Sequence, residues 1–376
     1  MSLFPNPVDV FIVGGGPAGL ATGIAARRQG LSVVVADGAV PPIDKACGEG
    51  LMPDGVEALC RLGITIPEND AYPFRGIRFV SDGKKAEAPF PRGSAYGIRR
   101  TRLHQIMLDR ASACGVQMLW HAAVSGLHPE GALVAGELVR ARFVVGADGT
   151  HSRVRDWAGL DERPSPSREP RNRRFAFRRH YRVVPWTGFV ELHWGRNCQV
   201  YVTPVGYEEV GVALISTYQK LRLEDALGEF PELMARLKNA EYTSNERGAL
   251  TVTRRLRRVY RDRTVLVGDA SGGVDAVTGE GLRLAFRQAE LLGNCLACGD
   301  LSNYQKGHGA LLRRPALTAR MMLFLAKRGG LRERTMRVFQ SSPRSFVRML
   351  AMHAGEGSAH DHISSGIVLG WKLLKA

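Results

Sequence analysis

The sequence lacks long apolar runs and has few cysteines. Its 376 residues have a mean hydropathy of −0.13, and they contain no stretch of about 18 apolar residues that would predict a membrane-spanning helix. Six cysteines are too sparse for a disulfide scaffold. The first residues also lack the charged and apolar regions of a signal peptide. We therefore expect a reducing, cytoplasmic environment.

Signatures of metal and nucleic-acid binding are also missing. Cys295 and Cys298 have CxxC spacing, but no second pair accompanies them, so no metal site is predicted. No helix-turn-helix, zinc-finger or aromatic ribonucleoprotein motif occurs, and base recognition needs such an element. We expect no nucleic-acid partner.

Acidic residues are scarce relative to basic ones. The chain carries 52 Lys and Arg against 36 Asp and Glu, a formal net charge of +16, and residues 301–376 alone hold thirteen of the basic residues and three acids. Further arginine clusters lie at 163–182 and 254–263. Solvated helix faces are one explanation. A second is peripheral contact with an anionic membrane at its inner face, through the basic and apolar segment 316–327. A lid or a dimer face is a third.

A strand–helix–strand pattern opens the chain. Residues 9–14 and 31–36 are short runs rich in β-branched residues, and 20–29 is Ala-rich with helical periodicity. Between the first strand and the helix lies Gly14-x-Gly16-x-x-Gly19, and Asp37 closes the second strand. In this context the glycines predict a dinucleotide pyrophosphate site, and Asp37 a partner for ribose hydroxyls. The alternative is a structural glycine-rich turn.

The later segments divide the chain into discontinuous parts. A helix at 101–114 and a strand at 142–145 continue the α/β pattern, alternating segments between about 160 and 263 predict an antiparallel sheet, and a strand at 264–267 and a helix at 281–298 restore the α/β pattern. We predict an α/β fold in three parts: a Rossmann-like cofactor-binding lobe (1–70, 97–159, 264–300), an antiparallel-sheet substrate lobe (71–96, 160–263) and a basic C-terminal helical section (301–376).

Two later motifs distinguish FAD from NAD. Residues 145–155 (VGADGTHSRVR) and 267–270 (VGDA) resemble motifs of the flavoprotein hydroxylase superfamily (p-hydroxybenzoate hydroxylase-like), in the family order. The resemblance implies FAD, with Asp148 and Gly149 near its pyrophosphate and Asp269 on a ribityl hydroxyl. Arg100 matches the arginine that opens a helix near the cofactor, and Arg102 is the alternative.

Two further stretches resemble paired motifs of the geranylgeranyl reductase family: 45–53 (KACGEGLMP) and 275–282 (DAVTGEGL). The resemblance implies that Cys47 lies near the flavin ring, as a catalytic proton donor or as an inert buried thiol. Glu49 and Glu280 are expected to cap loop N–H groups. The expected cofactor-binding residues are Gly14, Gly16, Pro17, Ala18, Gly19, Asp37, Cys47, Gly48, Arg100, Val124, Asp148, Gly149, Gly268, Asp269, Gly279, Gly281 and Leu282.

One segment departs from this family. Reductases of the group carry Tyr-x-Trp-x-Phe-Pro over the substrate tunnel and halogenases carry Trp-x-Trp-x-Ile-Pro, whereas this chain has Gln199 and Tyr201 before Pro204. The departure disfavours halogenation and leaves the substrate open.

The sequence therefore predicts an FAD-dependent oxidoreductase that reduces a C=C bond of an apolar isoprenoid-, acyl- or polyketide-like substrate. The alternative is a monooxygenase that hydroxylates or epoxidises an aromatic or polyketide-like molecule, and minor alternatives are a halogenase and a non-catalytic flavin-binding protein. Since only one GxGxxG occurs, electrons are expected from transiently bound NAD(P)H or from a protein donor.

Overall fold

The computed structural model describes residues 7–161 and 173–353. Part of the arginine cluster at 163–182 and the end of the basic tail, 354–376, lie outside the described residues.

The strands belong to two large sheets and two small ones. In chain order they are β1 Val8–Val13, β2 Val33–Ala36, β3 Gly50–Leu51, β4 Tyr72–Phe74, β5 Gly76–Ser81, β6 Lys84–Pro89, β7 Ala95–Gly97, β8 Gln117–Leu119, β9 Val124–His128, β10 Gly131–Val134, β11 Glu137–Gly146, β12 Arg174–Arg182, β13 Val190–Trp194, β14 Cys198–Gly206, β15 Glu209–Ser216, β16 Glu241–Tyr242, β17 Arg247–Thr251, β18 Arg254–Arg255, β19 Tyr260–Arg261, β20 Thr264–Leu266 and β21 Gly272–Gly273.

The helices alternate with strands early in the chain and follow one another at its end. They are α1 Pro17–Arg28, α2 Pro53–Arg61, α3 Arg100–Ala113, α4 Arg153–Trp157, α5 Leu223–Leu227, α6 Pro231–Leu237, α7 Gly281–Cys298, α8 Leu301–Lys327, α9 Gly329–Ser341 and α10 Pro343–His353. Short 3₁₀ turns occur at Glu68–Asp70, Gly268–Ser271 and Ala276–Thr278.

The first large sheet has the order β19-β20-β11-β1-β2-β8, and its central strands β20, β11, β1, β2 and β8 pair in parallel. Apart from Asp9 near the start of β1, β1 and β2 are apolar, as expected of strands that are covered on both faces. Helix α1 packs closely on α7, where a Cβ at Gly293 would lie 2.8 Å from the Cβ of Ala25. This sheet confirms the predicted Rossmann-like α/β fold, with β20 and α7 returning to it after a long excursion.

The second large sheet has the order β16-β12-β15-β14-β13-β5-β6 and is antiparallel except for the parallel pair β13 and β5. Its residues alternate between two faces. Val200, Val202 and Val212 belong to a core with α5 and α6, whereas Phe79, Leu192 and Trp194 belong to a core with the C-terminal helices. The predicted antiparallel sheet is confirmed, and a layer of C-terminal helices covers part of it.

Helix α8 connects the two sheets. Leu301 and Tyr304 at its start belong to the core of the first sheet, whereas Ala319 and Met322 belong to the core on the second. The Tyr304 hydroxyl donates to the Leu266 carbonyl at 2.9 Å. Arg328 alone separates α8, which ends at Lys327, from α9, which starts at Gly329. In the described ranges, no helix is long and apolar enough to cross a bilayer.

Candidate active site

The glycine-rich loop between β1 and α1 uses its three glycines differently. Gly14 has φ +109°, and a Cβ there would lie 2.5 Å from the Ala147 carbonyl oxygen. A Cβ at Gly19 would lie 1.9 Å from the Gly14 carbonyl oxygen, so this glycine allows α1 to approach the loop. At Gly16 the nearest atom is an Arg100 nitrogen at 4.0 Å. Gly14 and Gly19 therefore serve packing, whereas Gly16 leaves open space.

Two side chains hold this loop in position. The Asp37 carboxylate accepts from the N–H groups of Gly15 at 2.7 Å and Ala39 at 2.8 Å. His104, fully buried on α3, contacts the Gly15 carbonyl oxygen through Nε2 at 2.8 Å. Burial lowers the pKa of His104, which favours the neutral ring with Nε2–H as the donor. Sequence reasoning identified Asp37 but missed His104, whose only signal was a histidine in the predicted helix after Arg100.

The loop after β11 is held by Asp148 and Arg155. One Asp148 oxygen accepts from the N–H groups of Arg153 at 2.7 Å and Val154 at 3.1 Å, at the start of α4. The buried guanidinium of Arg155 donates to the carbonyls of Thr150 and Ala270, each at 3.1 Å. This arginine joins the two motifs that the sequence placed about 120 residues apart, and its role was not predicted.

Asp269 lies where these motifs meet. Its carboxylate pairs with Lys45 Nζ at 2.9 Å and accepts from the Thr150 hydroxyl at 3.2 Å. Burial alone would raise the pKa of Asp269, but the Lys45 ammonium and these hydrogen bonds hold the pKa below its usual range. The side chain is 49% exposed towards the cavity, so an ionised acceptor is presented there.

The loop at 45–52 carries Cys47 and Glu49. Cys47 is partly buried, and its Sγ accepts from the Glu49 N–H at 3.4 Å. Glu49 is buried at φ +58°, and one carboxylate oxygen accepts from the Arg100 N–H at 2.8 Å, at the start of α3. Glu49 was expected to bind loop N–H groups, and it instead binds the first N–H of a helix. Glu280 instead pairs with Arg283 at 2.9 Å.

A cavity of about 900 Å³ runs through this region. Arg100 lines it, whereas the alternative Arg102 pairs with Asp70 at 2.7 Å. Gly19 is the predicted residue that does not line the cavity, because it faces the Gly14 carbonyl. The other predicted residues line it: Gly14, Gly16, Pro17, Ala18, Asp37, Cys47, Gly48, Arg100, Val124, Asp148, Gly149, Gly268, Asp269, Gly279, Gly281 and Leu282.

These residues fit an extended FAD. A Cβ at Gly48 or Gly281 would meet no atom within 4 Å, so main chain is open to a flat ring. Within the described residues, no side chain caps the N-terminus of α1 or α7, which leaves N–H donors and positive dipole ends towards the cavity. The buried Arg100 Nε has no hydrogen-bond partner in the described part of the chain. A bound pyrophosphate and flavin would satisfy such groups.

The other half of the cavity is apolar. Its wall comes from the second sheet and its roof from α8 and α10: Ile77, Phe79, Ala176, Val190, Leu192, Ala213, Ile215, Leu250, Met321, Met322, Phe346, Met349 and Leu350. Tyr201, one of the departures from the family pattern, also lines the cavity and donates its hydroxyl to the Val277 carbonyl at 2.8 Å. Gln199 accepts from Arg174 at 2.9 Å. Gln199 is thus held by a residue of the second sheet, and Tyr201 is held by the loop that precedes α7.

Comparison with known proteins supports an FAD-dependent enzyme. Residues 7–178 match the FAD-binding domain family. The menaquinone reductase of Mycobacterium tuberculosis is 28% identical, covering 79% of this chain and 78% of that protein. Digeranylgeranylglycerophospholipid reductase 1 of Methanothermobacter thermautotrophicus is 26% identical, covering 82% of each. Ubiquinone hydroxylases align over a similar share. This chain is an FAD-dependent oxidoreductase.

The fold of the oxidoreductase also has solved counterparts. A flavoprotein/dehydrogenase of Cytophaga hutchinsonii superposes with a TM-score of 0.79 at 19% identity, covering 93% of each chain. The predicted resemblance to geranylgeranyl reductases is confirmed by the archaeal relatives, and FAD as the cofactor is confirmed by the FAD-binding domain match.

Proposed function

We propose that this FAD-dependent oxidoreductase reduces a C=C bond of an apolar, isoprenoid-like substrate. The observation that carries the proposal is the continuity of the cavity, whose glycine-lined cofactor side opens into an apolar compartment between the second sheet and α8 and α10. Such a compartment excludes water and accepts a hydrocarbon chain. Relatives named menaquinone reductase and digeranylgeranylglycerophospholipid reductase support this substrate class.

The residues divide the work between binding and proton supply. Bound FAD, once reduced, supplies a hydride. The Asp269 carboxylate and the backbone around Gly16 and Gly281 hold the cofactor, and the apolar wall orients the chain of the substrate. Cys47 lies in the cavity wall on the loop before Glu49, where its thiol would protonate the second carbon, directly or through a water. Electrons would come from NAD(P)H or a protein donor.

A monooxygenase is the second candidate, because ubiquinone hydroxylases are also among the relatives. Oxygen distinguishes the two. Menaquinone would be incubated with dithionite-reduced holoenzyme under strict anaerobiosis, and the product, after reoxidation of any quinol, analysed by mass spectrometry. A reductase adds two hydrogens without oxygen, whereas a monooxygenase adds one oxygen atom and only in air. Turnover that depends on oxygen would refute the reductase proposal.

Cys47→Ala tests the proton donor. We expect FAD to stay bound with an unchanged spectrum and reductive turnover to fall about 10²-fold, a usual contribution of a positioned acid. Cys60→Ala, at an exposed cysteine outside the cavity, is the control. An undiminished rate in Cys47→Ala would show that Cys47 is an inert thiol and not the proton donor.

We also propose that α8 brings the substrate entrance to an anionic membrane. Leu317 and Phe324 are exposed on one helix face, at 69% and 48%, and Arg320 lies between them at helical spacing. Thr318 and Met321 of the same helix line the cavity. Leu317→Glu combined with Phe324→Glu should abolish flotation with anionic vesicles and leave anaerobic turnover of detergent-dispersed substrate intact. Equal flotation of the wild type with neutral vesicles would contradict the proposal.

A further inference from the structure

Strand β12 places a cation in the wall of the apolar cavity. Arg178 is 1% exposed and lines the cavity beside Ala176 on the same face of the strand, opposite Ala213 of β15. A buried guanidinium among alanines and aliphatic side chains is costly unless its N–H groups are paired. The hydrogen-bond partners of Arg178 therefore indicate which of its N–H groups are available to a ligand.

A chain of hydrogen bonds fixes the position of this guanidinium. One terminal nitrogen pairs with Asp44, and the other donates to His180 Nδ1 at 3.1 Å. Because arginine only donates, Nδ1 is an acceptor and the ring proton is on Nε2, which donates to Glu49. Glu49 in turn accepts from the Arg100 N–H. Arg178 is thus positioned by the loop that borders the cofactor cradle.

The Nε donor of Arg178 is unused. Its Nε has no hydrogen-bond partner within the described ranges, and the nearest carboxylate oxygen, on Glu49, is 3.9 Å away. Arg174, two positions before Ala176 on the same face, is paired with Asp275 at 3.0 Å and Gln199 at 2.9 Å. A buried donor left unpaired is unfavourable, so an acceptor atom of a ligand would be bound there.

We propose that Arg178 is a specificity-determining residue that donates from Nε to a carbonyl oxygen of an otherwise apolar substrate. This rests on the proposed function of the cavity. A neutral carbonyl fits better than an anion, because the Asp44 and Glu49 carboxylates already offset the Arg178 cation and would repel further negative charge. The substrate class is therefore a quinone-like or ester-like molecule with a hydrocarbon chain.

Two probes of one shape test the proposal: menadione, with two ring carbonyls, and 2-methylnaphthalene, with none. Binding to the oxidised holoenzyme is followed by flavin fluorescence. We expect the wild type to prefer menadione about tenfold or more, the factor that one buried hydrogen bond supplies. Arg178→Lys keeps a cation for Asp44 but puts a methylene where Nε was. It should lose the preference by weakening menadione alone, and Arg178→Met should do the same.

Arg179→Met is the matched control, because the next side chain faces away from the cavity and pairs with Glu224 at 2.7 Å. It should retain the wild-type preference. Equal binding of both probes by the wild type, or a preference unchanged in Arg178→Lys, would overturn the Arg178 proposal alone. Loss of FAD from Arg178→Lys would overturn it as well, because the donor would then serve the cofactor. Failure of both probes to bind the wild type would overturn both this proposal and the apolar-substrate function.

Discussion

The two halves of the cavity differ in whether backbone or side chains form their surface. The cofactor side is mainly backbone: glycines with open space, helix N-termini and a few carboxylates fixed by loop N–H groups. The substrate side is built from side chains on a sheet face and on α8 and α10, and it includes the ring of Tyr201, whose hydroxyl donates to the Val277 carbonyl. A site formed mainly by backbone suits a cofactor that does not change. A site formed by side chains can acquire a different ligand when those residues are substituted.

The largest expected effect separates two glycines of the same loop. Gly16 has ordinary extended backbone angles, φ −71° and ψ 178°, and free space at its Cβ, so Gly16→Val should fold and yet fill the cradle. We expect colourless protein, with FAD affinity reduced at least about 10²-fold, because side chain replaces the close approach of backbone to pyrophosphate. Absorbance near 450 nm after reconstitution, together with circular dichroism, measures both properties.

Gly19→Val is the counterpart. Its Cβ would lie 1.9 Å from the Gly14 carbonyl oxygen, so this variant should fail to fold even with excess FAD. Yellow Gly16→Val protein, or a stable Gly19→Val protein, would show that the division between a packing glycine and a cofactor glycine is wrong.

The next largest effect is a loss of stability at low pH, caused by His308 of α8 where the two halves of the cavity meet. His308 of α8 is buried against the Ser271 hydroxyl at 2.9 Å, and burial lowers its pKa from 6.5 to about 4. Below pH 6.5 the unfolded chain binds a proton that the folded chain does not, so stability falls as the pH drops towards 4. From about pH 7.5 to about pH 5 this group should remove about 2 kcal/mol from the free energy of unfolding.

His308→Gln keeps a polar group for Ser271 without the titration. Denaturant unfolding of both proteins at the two pH values should show a smaller loss in the variant. Parallel losses in wild type and variant would mean that other groups, such as the buried His104, dominate the acid sensitivity.

The smallest effect is confined to the substrate side. Thr318→Phe narrows the cavity from the roof, and we expect KM for a long-chain substrate to rise about tenfold, since shape misfits of this size cost about 1–3 kcal/mol. FAD content and thermal stability should not change. Leu317→Phe, at the neighbouring exposed position, should match the wild type, and loss of FAD from Thr318→Phe would show that the two halves are not separable.

The sequence predicted the first sheet well because its signals are local. Apolar runs, glycine spacing and the residue following each strand are encoded over a few positions, so Gly16, Asp37 and Asp269 could be placed in one site before any contact was known. The start of α7 at Gly281 was also correct.

Long-range pairing was beyond the sequence. His104 on Gly15, Arg155 across two motifs and His180 on Glu49 join residues that are 89, 115 and 131 positions apart. Such bonds depend on the packing of whole elements, and an isolated Arg or His in a strand looks the same whether it is solvated or buried. The sequence offered a lid as only one of three explanations for the basic C-terminal segment, because arginines are also typical of solvated helix faces and an apolar helix face does not identify what it packs against.

Helix α8 joins the two halves of the cavity. At about 1.5 Å per residue, its 27 residues reach roughly 40 Å, from the turn beside Asp269 to the ceiling of the hydrocarbon compartment. One continuous helix therefore packs on the turn that carries Asp269, through His308 and Ser271, and also forms part of the roof of the apolar compartment. Pro315 has no N–H and removes one backbone hydrogen bond between these two contacts, so the cofactor half and the substrate half of the cavity share one structural element.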